Sequence, residues 1–151
     1  MQLYAQYKNI SIDAEQNDGA LSAIHISFAK NKKPANSNAK LEKMIAAALH
    51  GDVLWDELDM SWATPFQLRV YRAMAKIKPG QTATYADLAK KIGAPRAYRA
   101  VANACARNRL PVVIPCHRVV RSDGGLGGYN AKDGLKMKKY LLQLEGCDIA
   151  Y

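Results

Sequence analysis

The sequence predicts an α+β fold, with a small N-terminal α/β domain at residues 1–60 and a mainly helical domain at residues 61–151. Three observations carry this expectation. Ile24, Ile26 and Phe28 alternate with His25 and Ser27, the period of a half-buried strand. From Thr64 onward, apolar residues recur at helical spacing between proline and glycine punctuation. The charge balance also changes near residue 60: six Lys/Arg face eight Asp/Glu before it, and sixteen face five after it.

The N-terminal elements follow in order. Asn17-Asp18-Gly19 precedes the alternating strand and marks a hairpin turn. Lys30 to Ser37, with three lysines and Pro34, reads as an exposed loop. Leu41, Met44, Ile45 and Leu49 form a helical stripe, and Gly51 is placed to end that helix. Val53 to Met60 is expected as a short strand leading out.

Thr64-Pro65-Phe66 supplies an N-cap followed by proline at the first helical position. Phe66, Val70, Met74 and Ile77 continue as one stripe up to Lys78-Pro79-Gly80. Thr84, with Asp87 three residues on, opens the next helix, which stops at Gly93. Pro95 is expected to start a further helix reaching about Arg107. Two helices so joined have the punctuation of a helix-turn-helix, and equally of an ordinary αα-hairpin. The second carries Arg96, Arg99 and Arg107 among small residues, Ala97, Ala100, Ala102, Asn103, Ala104 and Ala106, which would let it approach a DNA backbone closely.

Composition narrows the function classes. With 151 residues, 49% hydrophobic and 23% charged, the chain is neither disordered nor collagen-like. Its longest apolar run, Met44 to Leu49, is six residues, against about 20 for a membrane span. The N-terminus lacks a basic, apolar leader, so a cytoplasmic protein is expected, or a nuclear one in a eukaryote. Three cysteines, Cys105, Cys116 and Cys147, are expected as free thiols. No cofactor and no metal are expected, since the Cys and His residues lack paired ligand spacing. All eight arginines follow residue 60. Guanidinium groups bind phosphate bidentately, so this half suits a polyanion, or is simply a soluble basic surface.

Leu110-Pro111-Val112-Val113-Ile114-Pro115 reads as a short, buried, extended segment delivering Cys116-His117-Arg118. A cysteine beside two potential cations is placed for thiolate stabilisation.

Pro115-Cys116-His117-Arg118-Val119 resembles the signature of the 6-O-alkylguanine-DNA alkyltransferases, the methylated-DNA–protein-cysteine methyltransferase family. The resemblance extends, in order, to Thr64-Pro65-Phe66-Gln67, Thr82-Ala83-Thr84-Tyr85, Ile92-Gly93-Ala94-Pro95, Arg99-Ala100-Val101, Asn108, Gly127-Gly128-Tyr129, and Leu141-Leu142 through Glu145-Gly146. It covers about residues 60–146. It implies direct-reversal DNA repair by irreversible, single-turnover transfer of an alkyl group from 6-O-alkylguanine to the protein's own cysteine, here Cys116. It also implies that His117 takes the thiol proton through a water and that Glu145 orients and charges His117. By the same resemblance Asn108 braces the cysteine turn, and Tyr85 helps flip the nucleotide and protonates the departing guanine. Arg99 would fill the vacated stack, and the recognition helix of a winged helix-turn-helix, with Arg96, Ala100 and Asn103, would enter the minor groove. Val119, Tyr129 and Asn130 would line the base pocket. The implied partner is double-stranded DNA with a flipped alkylguanine, bound by a monomer without a membrane.

The chain departs from the family pattern at Asn130, often serine, at Arg109, usually proline, and at Ala102-Asn103, usually glycine-rich. Competing readings are a non-catalytic alkyltransferase-like lesion-binding protein, an ordinary helix-turn-helix regulator and a cysteine hydrolase. Alkylation of Cys116 by methylated DNA separates the first two from a transferase. A hydrolase would need an oxyanion site and turnover.

Overall fold

The computed structural model describes residues 2–147. Strands β1 (Gln2–Tyr7), β2 (Ile10–Asn17) and β3 (Ala20–Phe28) form an antiparallel sheet in sequence order. The β2–β3 turn places Asp18 and Gly19 both at positive φ, 48° and 82°, the geometry that suits the right-handed twist of a hairpin. Ala5, Ile10, Ile12, Ala14, Ile24 and Ile26 face inward. Helix α1 (Ala39–Leu49) packs on β1 and buries Leu41, Met44, Ile45, Ala48 and Leu49. Asn38 caps it by accepting from the Leu41 amide at 2.9 Å.

Val53 to Met60 is not a strand. Its centre, Trp55–Glu57, is a 3₁₀ turn, and only Leu58 bridges to Leu21. The Trp55 ring instead takes the Arg72 guanidinium over its face at 5.1 Å.

Helix α2 (Pro65–Met74) and helix α3 (Tyr85–Lys91) both begin with reciprocal caps, Thr64 with Gln67 and Thr84 with Asp87. Helix α4 (Tyr98–Ala106) packs on both. It starts later than the sequence suggests. Pro95 sits in a turn closed by the Ala97 amide on Ala94 O at 2.9 Å, which leaves Arg96 outside the helix. Proline's fixed φ serves the second position of a turn as well as it serves a helix start.

The stretch before Cys116 is a tight turn, not an extended segment. The Ile114 amide closes on Leu110 O at 2.9 Å, and Val112 is held at φ 74°. A β-branched residue there is strained, so neighbouring groups must impose the conformation. Cys116–Arg118 then forms a 3₁₀ turn that runs into β5 (Val119–Val120). β5 pairs in parallel with β4 (Ala83–Thr84), setting the start of α3 beside the cysteine turn. Helix α5 (Gly134–Leu144) packs on that turn and leads to Glu145.

Buried apolar residues from the sheet and all five helices form one connected core. Arg109 packs against β3: its carbonyl accepts from the Ile24 amide at 2.8 Å, and its guanidinium lies 5.4 Å from the centre of the Trp62 ring. No helix among the described residues is long and apolar enough to cross a membrane.

Candidate active site

Asn108, just past α4, is fully buried and holds the turn in shape. Its Oδ1 accepts from the Leu110 amide at 2.9 Å. Its Nδ2 donates to Ile114 O at 3.0 Å and to Cys116 Sγ at 3.2 Å. The same side chain therefore stabilises the strained turn and touches the sulfur it delivers. Asn130 adds a bond from its Nδ2 to Asn108 O at 3.3 Å.

Cys116 is 4% exposed and lines a cleft of about 1040 Å³ with Tyr85, Ala102, Cys105, Tyr129 and Asn130. Burial pushes its thiol pKa up, while the Asn108 hydrogen bond and the charge of Lys138 push it back down. The expected stabilisation by neighbouring cations is not what the turn provides. His117 and Arg118 converge on Glu145, and Cys116 lines the cleft.

His117 is fully buried, and its Nε2 lies 2.8 Å from Glu145 Oε1. Burial opposes ionisation of Glu145, but the hydrogen bonds from Arg118 and His117 and the charge of Arg118 outweigh it and hold its carboxyl below the usual range. An ionised carboxylate can only accept, so His117 donates through Nε2 and Nδ1 carries the lone pair. Burial pulls the His117 pKa down despite Glu145, which keeps the ring neutral. Nδ1 is buried without a hydrogen-bond partner among the described residues. The site therefore holds a thiol and a neutral, oriented imidazole base with one open ring nitrogen.

Arg118 was not singled out as a site residue from the sequence. It donates from Nε to both Glu145 oxygens at 3.0 and 3.2 Å, and from Nη2 to Glu145 Oε2. Its fork also reaches Ile77 O at 2.8 Å and Ala48 O at 2.9 Å. Lys138 was missed too, although a lysine on the stripe formed by Met137, Leu141 and Leu142 was a readable signal.

The remaining expected residues divide. Tyr85 and Tyr129 line the cleft, and burial pushes the Tyr85 phenol up to about 12, so its hydroxyl stays protonated and able to donate. Val119 is fully buried in β5 and does not line the cleft. Arg96, Arg99, Ala100 and Asn103 are exposed, the last three on α4, whose Ala102 and Ala106 form one cleft wall.

Gly127 faces the Tyr85 hydroxyl. A Cβ there would stand 2.6 Å from that oxygen, at φ +76°, whereas at Gly19, φ +82°, it would meet open space. Gly127→Ala and Gly19→Ala share the backbone cost, on the order of 1–3 kcal/mol. Thermal unfolding should show a larger loss for Gly127→Ala. Equal losses would mean that Tyr85 gives way freely.

Residues 65–147 match the family described as 6-O-methylguanine DNA methyltransferase, DNA binding domain. The methylated-DNA–protein-cysteine methyltransferase of Methanosarcina barkeri is 42% identical over 132 residues, 80% of this chain and 82% of that protein. The regulatory protein Ada of Salmonella typhimurium is 40% identical over 138 residues, 89% of this chain, and this chain spans 38% of that longer protein. Among solved structures, the O6-methylguanine-DNA methyltransferase of Pyrococcus kodakaraensis aligns over 97% of this chain and 99% of its own, with a TM-score of 0.80 and 26% identity. With a family match over more than half its length and a 42% identical relative covered over 82% of its own, this chain belongs to the 6-O-methylguanine DNA methyltransferase family.

Proposed function

We propose that the chain reverses DNA alkylation directly, moving a methyl or other alkyl group from 6-O-alkylguanine in duplex DNA onto Cys116, once per molecule. The observation that carries this reading is the cysteine at the cleft, bonded through Sγ to Asn108 and followed by the His117–Glu145 pair. The thiol proton passes to His117 Nδ1 through a bridging water. The thiolate attacks the alkyl carbon, an S–C bond forms, and the bond from that carbon to the guanine oxygen breaks. The electron pair goes to the base, which takes a proton from the Tyr85 hydroxyl. A thioether offers no ready leaving path, so Cys116 is not regenerated.

The base must leave the stack to reach a sulfur this deep. In this reading α3 and α4 are the helix-turn-helix of a winged DNA-binding domain at residues 61–151, beside an N-terminal domain at residues 1–60. The exposed Arg99, Arg96, Ala100 and Asn103 face DNA, and Arg99 fills the space the base vacates. Tyr129 and Asn130 contact the flipped base, and the protein works as a monomer.

Intact-mass measurement after incubation with a methylguanine duplex tests this. One methyl per protein, mapping to Cys116, is expected. Several equivalents repaired per molecule, or an adduct on Cys105 or Cys147, would overturn it. A lesion-binding protein without transfer would bind the duplex and show no adduct.

Arg99→Ala should slow repair of duplex DNA far more than reaction with a free alkylated base. The free base needs no extrusion, which otherwise costs a few kcal/mol. Equal losses on both substrates would remove Arg99 from the stack.

A further inference from the structure

Lys138 on α5 is fully buried. Its Nζ donates to Val119 O at 2.6 Å, to Gly128 O at 3.2 Å and to Leu126 O. Those acceptors match the three protons of an ammonium group. They also belong to two different parts of the site. Val119 opens β5 directly after the Cys116 turn. Leu126 and Gly128 flank Gly127, which lies against the Tyr85 hydroxyl, and both line the cleft. Three carbonyl oxygens turned toward one point repel one another, and the ammonium converts that repulsion into a clamp.

Lys138 also acts on the sulfur. Its positive charge favours the thiolate of Cys116, whereas the Arg118 guanidinium is spent on Glu145 and two carbonyls. Burial draws the Lys138 pKa down to about 8, and Cys116 and Cys105 pull it the other way, so the ammonium remains the major form at neutral pH. The same charge opposes protonation of His117.

We propose that Lys138 is a positioning residue for alkyl transfer, clamping the cleft wall at Leu126 and Gly128 to the strand after Cys116. The proposal rests on Cys116 being the acceptor, and two of its three readouts need no alkylguanine. Lys138→Met removes both charge and donors. Lys138→Arg keeps the charge, but its planar fork cannot serve three carbonyls around one point.

Three quantities are measured in each variant: site-resolved iodoacetamide alkylation of Cys116 across pH, amide hydrogen exchange along the chain, and transfer from a free alkylated base. Lys138→Met should raise the pH midpoint of Cys116 reactivity and speed exchange at Gly125–Tyr129 while α4 stays protected. It should also slow transfer on the order of 100-fold, the usual cost of a reacting group misplaced by about 1 Å. Lys138→Arg should loosen the same loop with its midpoint near that of the original protein. A folded Lys138→Met with an unchanged midpoint and an unchanged loop overturns the proposal. So does exchange that rises throughout the chain, or the failure of both Lys138→Met and Lys138→Gln to fold, because either assigns the lysine to global stability. Failure of the transfer reading alone would leave the iodoacetamide and exchange results in place.

Discussion

Cys116→Ser should leave no detectable adduct on the protein after exposure to methylguanine duplex, yet bind that duplex as before. A serine hydroxyl stays protonated at neutral pH and is a far weaker nucleophile than a thiolate. The neutral, Glu145-oriented His117 can polarise it but does not make it an alkoxide. Removing the nucleophile from a comparable catalytic set costs on the order of 10⁶-fold. Binding draws on different groups, the basic surface after residue 60 with the exposed Arg96 and Arg99. Neutralising Z phosphates gives log K a slope of about −0.9Z against log salt, with Z of roughly two to five for a module this small. The slope should be the same for the original protein and Cys116→Ser, and similar on damaged and undamaged duplex. A flat salt dependence, or a slope altered by the serine, would show that DNA is held by something other than the basic half.

Arg118→Met should cost about 3–5 kcal/mol of folding stability, the usual result of stripping one partner from a buried ion pair. The Arg118 and Glu145 side chains are 1% and 0% exposed, so solvent screens little of the loss. The substitution leaves the carboxylate with His117 alone and takes donors from Ile77 O and Ala48 O. Urea unfolding should show a lower midpoint with an unchanged slope. Arg118→Lys keeps the charge without the fork and should fall between. A loss below about 1 kcal/mol, the range of an exposed pair, would mean that the network carries little of the fold.

What could be read in the sequence was local. The Asn17-Asp18-Gly19 hairpin and the Thr64 and Thr84 caps depend on bonds between residues three or fewer positions apart, so their residue types announce them. Cys116, His117 and Glu145 were legible through resemblance, and the structure joins the latter two at 2.8 Å. What escaped was decided by distant partners. Val112 adopts its positive φ inside a turn that Asn108 spans at both ends, and a run of β-branched residues does not reveal that. Pro95 suits a turn and a helix start equally, and only the Ala97–Ala94 bond separates them. Arg118 looked like a companion of the thiol, but its partners lie 27, 41 and 70 positions away.

Those separations bear on how the protein comes into being. Each contact of Arg118 closes a long loop, and the entropy of that closure must be met before the contact returns anything. A chain ending before Glu145 offers the guanidinium only Ile77 O and Ala48 O. Without the carboxylate, His117 has nothing at Nε2 to fix its tautomer. A nascent or partly unfolded chain thus carries Cys116 as an ordinary thiol with no oriented base. In the proposed reaction Cys116 is used once, so this order of assembly matters. Its single use becomes available only in a molecule whose folding is complete.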